Sequence, residues 1–304
     1  MKRTIALLFL PLLAVLVLSA CQAMLTTVEK VTTQAESVGM VDRSRAKAIK
    51  TSTAAVSRSI EEFTPEQEYY IGRSVAAVIL SQYPPYNHSQ ANQYLNLIGQ
   101  TLALASDMPE IFRGYRFLIL NSDEINAFAT PGGQIFITRG LLRCCRNEDA
   151  VAAVLAHEIG HIQLKHGIQA IEKSRVTDAV TTIAAETARA LRPNEMKMLS
   201  QAFGGAIMDI TTTMINNGYS RSYEYQADQA ALKILRRLGY DPNGLVEMLV
   251  VMGKSLKSGG KDFAKTHPSP GDRIGEIEEK LGKYARVRTP DARQARFMSA
   301  VGKI

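Results

Sequence analysis

Asn147-Glu148-Asp149-Ala150-Val151-Ala152-Ala153-Val154-Leu155-Ala156-His157-Glu158-Ile159-Gly160-His161-Ile162-Gln163-Leu164-Lys165 decides how this sequence is read. Asn147 is a residue type that caps helix N-termini, and two acids follow where the helix dipole favours them. Apolar residues then recur at helical spacing to Lys165. Four residues turn a helix by about 400°, so His157 and His161 share one face and can hold a single cation. Neutral imidazoles at that separation suit zinc, which takes three protein ligands and keeps one position open when it is catalytic. Glu158, one step round the helix, is placed to accept the proton of an attacking water. The spacing points to metal-assisted hydrolysis of peptide bonds. The competing reading is a helix that carries two histidines and a glutamate by chance. The small flanking residues and an export signal at the N-terminus weigh against it. His166 lies nine residues beyond His157, about 180° round a continuing helix, and so reads as a helix-end or supporting residue rather than a ligand.

The third ligand sets the subclass. A metzincin continues with a glycine three residues past the second histidine and another histidine three further on. Leu164 and Gly167 stand at those positions, so that pattern fails. A glutamate must come from elsewhere, and Glu172, Glu186, Glu195 and Glu224 are the nearer downstream candidates. Glu224 stands out because Glu224-Tyr225-Gln226-Ala227-Asp228 sets two acids at i and i+4 on a face that continues through Ala231 to Leu235, before Gly239 ends the helix. Two acids on a small, apolar face are costly to bury unless paired or bound to metal. Glu224 can ligate while Asp228 accepts the free N–H of a ligand histidine; a solvent-facing acidic pair is the bland alternative.

Outward from these helices, Tyr115 to Leu120 is an apolar strand. Asn126-Ala127-Phe128-Ala129, Pro131-Gly132-Gly133 and Gln134 to Thr138 form a hairpin candidate. A helix opens at Thr64-Pro65-Glu66-Gln67-Glu68. Strands early and helices later give an α+β, mainly helical domain. Met198 to Gly218 carries a single charge, Asp209; it reads as a buried helix, with a lid or wall over the site, or a patch meeting a partner, as the alternatives.

The first twenty residues have another purpose. Met1-Lys2-Arg3 is a positive leader, Ile5 to Ala20 is an apolar run broken by Pro11, and Leu18-Ser19-Ala20-Cys21 closes it. Sixteen residues at 1.5 Å each span about 24 Å, short of the roughly 30 Å of hydrocarbon, so a secretory signal is the better reading than a spanning helix. Leu-Ser-Ala-Cys resembles the lipobox of bacterial lipoproteins, with Cys21 acylated and anchored to the membrane. Gln22 after the cysteine, in place of aspartate, points to the outer membrane. The 304 residues then divide into a signal peptide over 1–20, a tether over 21–60, a metallopeptidase domain over 61–285 and a C-terminal tail over 286–304. The composition, 46% apolar and 21% charged, is that of a globular chain. Its formal charge of +7 falls to about +5 without Lys2 and Arg3 and is spread along the sequence, which argues against nucleic acid as a partner. Cys144 and Cys145 are adjacent, so they are either buried thiols or a strained vicinal disulfide.

Together these motifs resemble the gluzincin endopeptidases of peptidase family M48, whose members include periplasmic lipoprotein proteases. The resemblance runs from Thr64 to Leu281. It rests on Asn126 to Gly133, on His157 to His161, on Glu224 to Asp228, and on Thr266-His267-Pro268 followed by Arg273-Ile274. It implies a zincin-like domain with a small sheet, one zinc per chain held by His157, His161 and Glu224, and Glu158 as general base. It also implies an edge strand, Asn126, Ala127, Phe128 and Ala129, to which an extended substrate adds by main-chain hydrogen bonds, with an ordinary hairpin as the alternative. His267 either stabilises an oxyanion near the metal or occupies the open zinc position as a latch; Arg273 either forms a structural ion pair or touches substrate. The function implied is that of a soluble, lipid-anchored endopeptidase on the periplasmic face of the outer membrane. It would cut unfolded or misassembled envelope proteins, with the envelope assembly machinery as a candidate partner. The alternative is a zinc-containing lipoprotein that acts mainly as a chaperone or binding module, with latched, low peptidase activity.

Overall fold

A computed structural model describes residues 63–173, 218–255, 268–282, 284–302 and 304, with single residues or pairs at 30–31, 33–34, 36–37, 211 and 215. Residues 1–20, Cys21, most of the tether and His267 lie outside the described residues, as does most of the 198–218 segment. Of that segment, Thr211 and Ile215 are helical and buried. Contacts divide the chain into two units, one of Met1–Glu62 with Thr177–Arg189 and one of Phe63–Val176 with Ala190–Ile304. The sheet and the helices that pack around it belong to the second unit.

That unit opens with α1 (Pro65–Gln82), whose start is legible in the sequence. The Thr64 hydroxyl accepts from Gln67 N, the Gln67 side chain accepts from Thr64 N, and Pro65 takes the first turn. Next comes α2 (Ser89–Leu104), which buries Ala91, Leu95, Ile98 and Leu102. Three strands follow: β1 (Arg116–Leu120), β2 (Ala127–Ala129) and β3 (Gln134–Thr138). The sheet order is β1-β3-β2, with β1 parallel and β2 antiparallel to β3; Phe128 pairs with Phe136 across the hairpin.

Side chains alternate across this sheet with the period of two that strands impose. Phe117, Ile119, Ala127, Ala129, Ile135 and Ile137 enter the main core, while Leu120, Phe128 and Phe136 join Val75, Ala76 and Ile79 of α1 on the other face. The hairpin turn is itself packed. A Cβ on Gly72 of α1 would lie 1.6 Å from the Pro131 carbonyl oxygen, and Gly132, at φ 72°, sits against the Tyr69 backbone.

The two edges of the sheet are finished differently. Along β1, α2 presents carboxamides at four-residue spacing. Asn92 accepts from Ile119 N at 2.9 Å, Asn96 accepts from Phe117 N and donates to Phe117 O, and Gln100 donates to Tyr115 O. That edge is closed by side chains imitating a fourth strand and, at its C-terminal end, by backbone, Tyr86 N donating to Ile119 O and Asn121 N to Pro84 O, each at 2.8 Å. The β2 edge has no such ladder among the described residues. Its Ala127 N–H is taken by the Asn126 side chain and its Ala129 carbonyl by the Tyr219 hydroxyl at 3.3 Å, and the three residues of β2 are buried.

The short α3 (Arg139–Leu142) leads to α4 (Glu148–Gln163), capped by Asn147 through Ala150 N. Every residue of α4 from Glu148 to Ile162 is buried. A helix enclosed on all sides must satisfy its polar residues internally. Behind it come α5 (His166–Lys173), α6 (Arg221–Arg237), α7 (Asn243–Ser255), α8 (Pro270–Leu281) and α9 (Asp291–Ala300). The segment 286–304, read from sequence as a tail, supplies α9, whose Phe297 and Ala300 enter the same core with Val301. Its arginines reach the first turn of α4: Arg296 clamps Glu148 with two hydrogen bonds, and Arg293 approaches Asp149 at 3.5 Å. Cys144 and Cys145 are buried free thiols whose sulfurs face the Gly140 and Leu141 carbonyls, and burial raises the pKa of both.

Candidate metal centre

The last two turns of α4 meet the first two turns of α6. Gly160, inside the histidine motif, is where the two backbones approach tightly: a Cβ there would stand 3.0 Å from Ala227 O and 3.1 Å from Ala227 Cα. The approach brings Glu224, one turn before Ala227, to the histidine face. His157 Nε2 and His161 Nε2 lie 3.1 Å apart. Glu224 Oε2 is 3.5 Å from the first and Oε1 is 3.5 Å from the second. All three residues are buried, and their donor atoms lie within 4.8 Å of one another. Two imidazole nitrogens held about 2.0–2.1 Å from a tetrahedral zinc stand roughly 3.3 Å apart, so the spacing fits a shared ion. Of the four downstream glutamates weighed from sequence, Glu224 is brought to this point; Glu186, Glu195 and the side chain of Glu172 lie outside the described residues.

Asp228 and Arg273 stand behind His157. Asp228 Oδ1 is 2.8 Å from His157 Nδ1. Arg273, from the first turn of α8, donates to both Asp228 oxygens through Nε at 2.9 Å and Nη2 at 2.5 Å. Arg273 is fully buried, which makes this a structural ion pair and not a surface contact for substrate. Burial alone would raise the Asp228 pKa, but Arg273 and His157 outweigh it and hold the carboxyl below its usual range. Burial and the Arg273 cation both disfavour charge on His157. Asp228, helped by Glu224, overcomes them, and in the metal-free protein the imidazole pKa is pushed up to about 9. A metal must displace that proton on binding.

Glu158 is 2% exposed, and its Oε1 has no hydrogen-bond partner among the described residues. Burial, reinforced by Glu224 and opposed by His157, raises its pKa to about 7. A buried carboxyl on the ligand-bearing turn with a pKa near neutrality is suited to exchange a proton.

His166 departs from the helical extrapolation. The helix does not continue through it. Leu164 is the C-cap of α4, Lys165 adopts φ +54°, and the chain folds back so that His166 begins α5 against the motif. Its Nδ1 lies 2.9 Å from His161 Nδ1, its ring stacks on Tyr223, and its Nε2 contacts Gln226 Oε1 at 3.1 Å. No glycine marks the left-handed position, so nothing in the sequence announces the turn. Lys165 is held there by an ion pair with Glu68 of α1 at 2.8 Å. Tyr219 was also unforeseen: it stacks on His161 with ring centroids 4.3 Å apart and reaches β2 with its hydroxyl.

The profile of peptidase family M48 matches residues 89–281, a span that contains the sheet, α4, α6 and α8. The chain belongs to peptidase family M48. The M48 relatives it resembles include the β-barrel assembly-enhancing protease of Escherichia coli (strain K12), 26% identical over 219 residues that cover 71% of this chain and 44% of the relative. The mitochondrial metalloendopeptidase OMA1 of Schizosaccharomyces pombe is 28% identical over 194 residues, 62% of this chain and 52% of the relative. The chain spans about half the length of these M48 relatives.

Proposed function

We propose that this M48 chain is a zinc-dependent endopeptidase of the bacterial envelope that hydrolyses unfolded or misassembled envelope proteins. The observation that carries the reading is the juxtaposition of a buried His157–His161–Glu224 donor set with an unsatisfied Glu158 carboxylate on the same helix. A His, His, Glu set suits zinc, which when bound supplies a Lewis acid that acidifies water and polarises a carbonyl. Glu158, with a pKa near neutrality, takes the proton of the attacking water and returns it to the leaving amine. Asp228 and Arg273 hold the His157 ring in place.

An extended substrate pairs with the β2 edge, Asn126 to Ala129. Two observations support this: the opposite edge is closed by Asn92, Asn96 and Gln100, and β2 packs against α4; the substrate displaces the Asn126 side chain from Ala127 N and the Tyr219 hydroxyl from Ala129 O. No helix among the described residues is long and apolar enough to cross a membrane. In this reading residues 1–20 are removed, Cys21 is acylated, and 21–60 tether the enzyme to the periplasmic face of the outer membrane. The Escherichia coli relative is by name a protease that enhances β-barrel assembly, and the reading extends to this chain a role beside that process.

The test is cleavage of an unfolded protein by the purified chain before and after chelation. Activity disappears with the metal and returns with one equivalent of zinc per chain; undiminished cleavage by the chelated protein would refute the reading.

A further inference from the structure

A second set of contacts stands behind His161, on the side of the ring away from Glu224, and it differs in kind from the ion pair behind His157. Gln226 Oε1, His166 Nε2, His166 Nδ1 and His161 Nδ1 form a continuous file whose two joints measure 3.1 Å and 2.9 Å. Each joint needs one donor and one acceptor. A carboxamide oxygen can only accept, so His166 carries its proton on Nε2. In the neutral imidazole its Nδ1 is then a lone pair, and the 2.9 Å contact requires the proton to sit on His161 Nδ1. His161 Nε2 is thereby left as a lone pair, facing His157 Nε2 at 3.1 Å and Glu224 Oε1 at 3.5 Å. Turning the Gln226 amide round reverses every donor and puts the proton on His161 Nε2, into the donor set.

The His166 ring is placed to do this. It is fully buried, lies flat on Tyr223 at 4.4 Å with an interplanar angle of 6°, and meets His161 at 70° with centroids 5.0 Å apart. The left-handed Lys165 brings it back towards α4. Gly167 leaves little room beside Pro131 and the Tyr219 hydroxyl, 3.1 Å and 3.3 Å from where a Cβ would stand. A space-filling role would be met by a phenyl ring, which offers no lone pair.

We infer that His166 is a positioning residue that fixes the tautomer and ring orientation in which His161 presents Nε2 to the metal. The inference rests on the reading of His161 as a metal ligand. Removing partners of this kind costs ligand sites about 10–100-fold in metal affinity. The experiment measures zinc affinity of the full chain by competition with a chelator, for the wild type, His166→Phe and His166→Asn. The Asn amide oxygen restores an acceptor near Nδ1; Phe restores only the volume. The account expects His166→Phe to bind zinc about 10–100-fold more weakly, and His166→Asn to stay within about threefold of the wild type. Imidazole nitrogen NMR of the metal-free wild type, where no metal dictates the tautomer, reads the proton position directly and decides the matter even if the variants fail to fold. A proton on His161 Nδ1 supports the inference. A proton on Nε2, or equal affinity for wild type and His166→Phe, overturns it. Absence of zinc binding by the folded wild type overturns the metal reading itself, a result distinct from the other two.

Discussion

The two ends of α4 bury polar residues to the same degree and treat them in opposite ways. At the N-terminal end Glu148 is clamped by Arg296 and bonded by the Tyr240 hydroxyl, and Asp149 accepts from Asp241 N and the Thr289 hydroxyl. At the C-terminal end His157, His161 and Glu224 turn their donor atoms toward one another, and Glu158 keeps a buried oxygen with no partner among the described residues. Satisfied burial is what a structural charge needs. Unsatisfied burial persists where something else is to be bound or moved. One helix therefore carries an anchor at one end and a reactive site at the other.

The contrast can be broken at either end. The largest effect belongs to Glu158→Gln, which keeps the shape and removes the base. Cleavage of an unfolded protein should fall by about 10²–10⁴-fold, with zinc content and melting temperature held at wild-type values. A mutant that still cleaves at the wild-type rate would move the base elsewhere. At the other end, Arg296→Met strips the buried Glu148 of a half-exposed guanidinium while the Tyr240 hydroxyl stays bonded to it. Urea titration should show a loss of about 2 kcal/mol, below that of a fully buried pair because solvent screens the arginine, while zinc affinity stays unchanged; a shift in zinc affinity would mean that the two ends are coupled.

A smaller effect sits between the ends. Gly160→Ala forces α4 and α6 apart by a few tenths of an ångström, at a cost of about 1–3 kcal/mol, and it should weaken zinc binding because Glu224 rides on α6. Wild-type affinity in that variant would show that Glu224 is not placed by the helix contact. The smallest effect is on the anchor. Burial, with Glu148 alongside, raises the Tyr240 hydroxyl pKa to about 12. The unfolded chain releases this proton near 10, so the contribution is complete below pH 10 and is lost as pH rises from 10 to 12. Tyr240→Phe should flatten the decline of stability across that window, and an identical decline in the variant would assign it to other groups.

The parts of this molecule that rest on local chemistry were legible in the sequence. Thr64 and Asn147 cap helices because their side chains reach the exposed amides two or three residues on. The hairpin from Ala127 to Thr138 follows from alternation around Pro131-Gly132-Gly133. His157, His161 and Glu224 were nameable from spacing, donor chemistry and family resemblance, and the fold brings them together. What escaped depends on contacts distant in sequence. Lys165 turns left-handed without a glycine, so a helical extrapolation carried His166 to the wrong side. The carboxamides that close β1 look like ordinary polar helix residues until the strand beside them is known. The segment after residue 286 has the composition of a tail, yet its arginines answer acids of α4 about 150 positions earlier in the chain.

The most direct test of the metal centre is zinc stoichiometry in the purified, folded chain and in Glu224→Ala, measured after dialysis against a weak chelator. The account predicts one zinc per chain in the wild type and close to none in the variant. A wild type without zinc, or a Glu224→Ala protein that keeps a full equivalent, would contradict it.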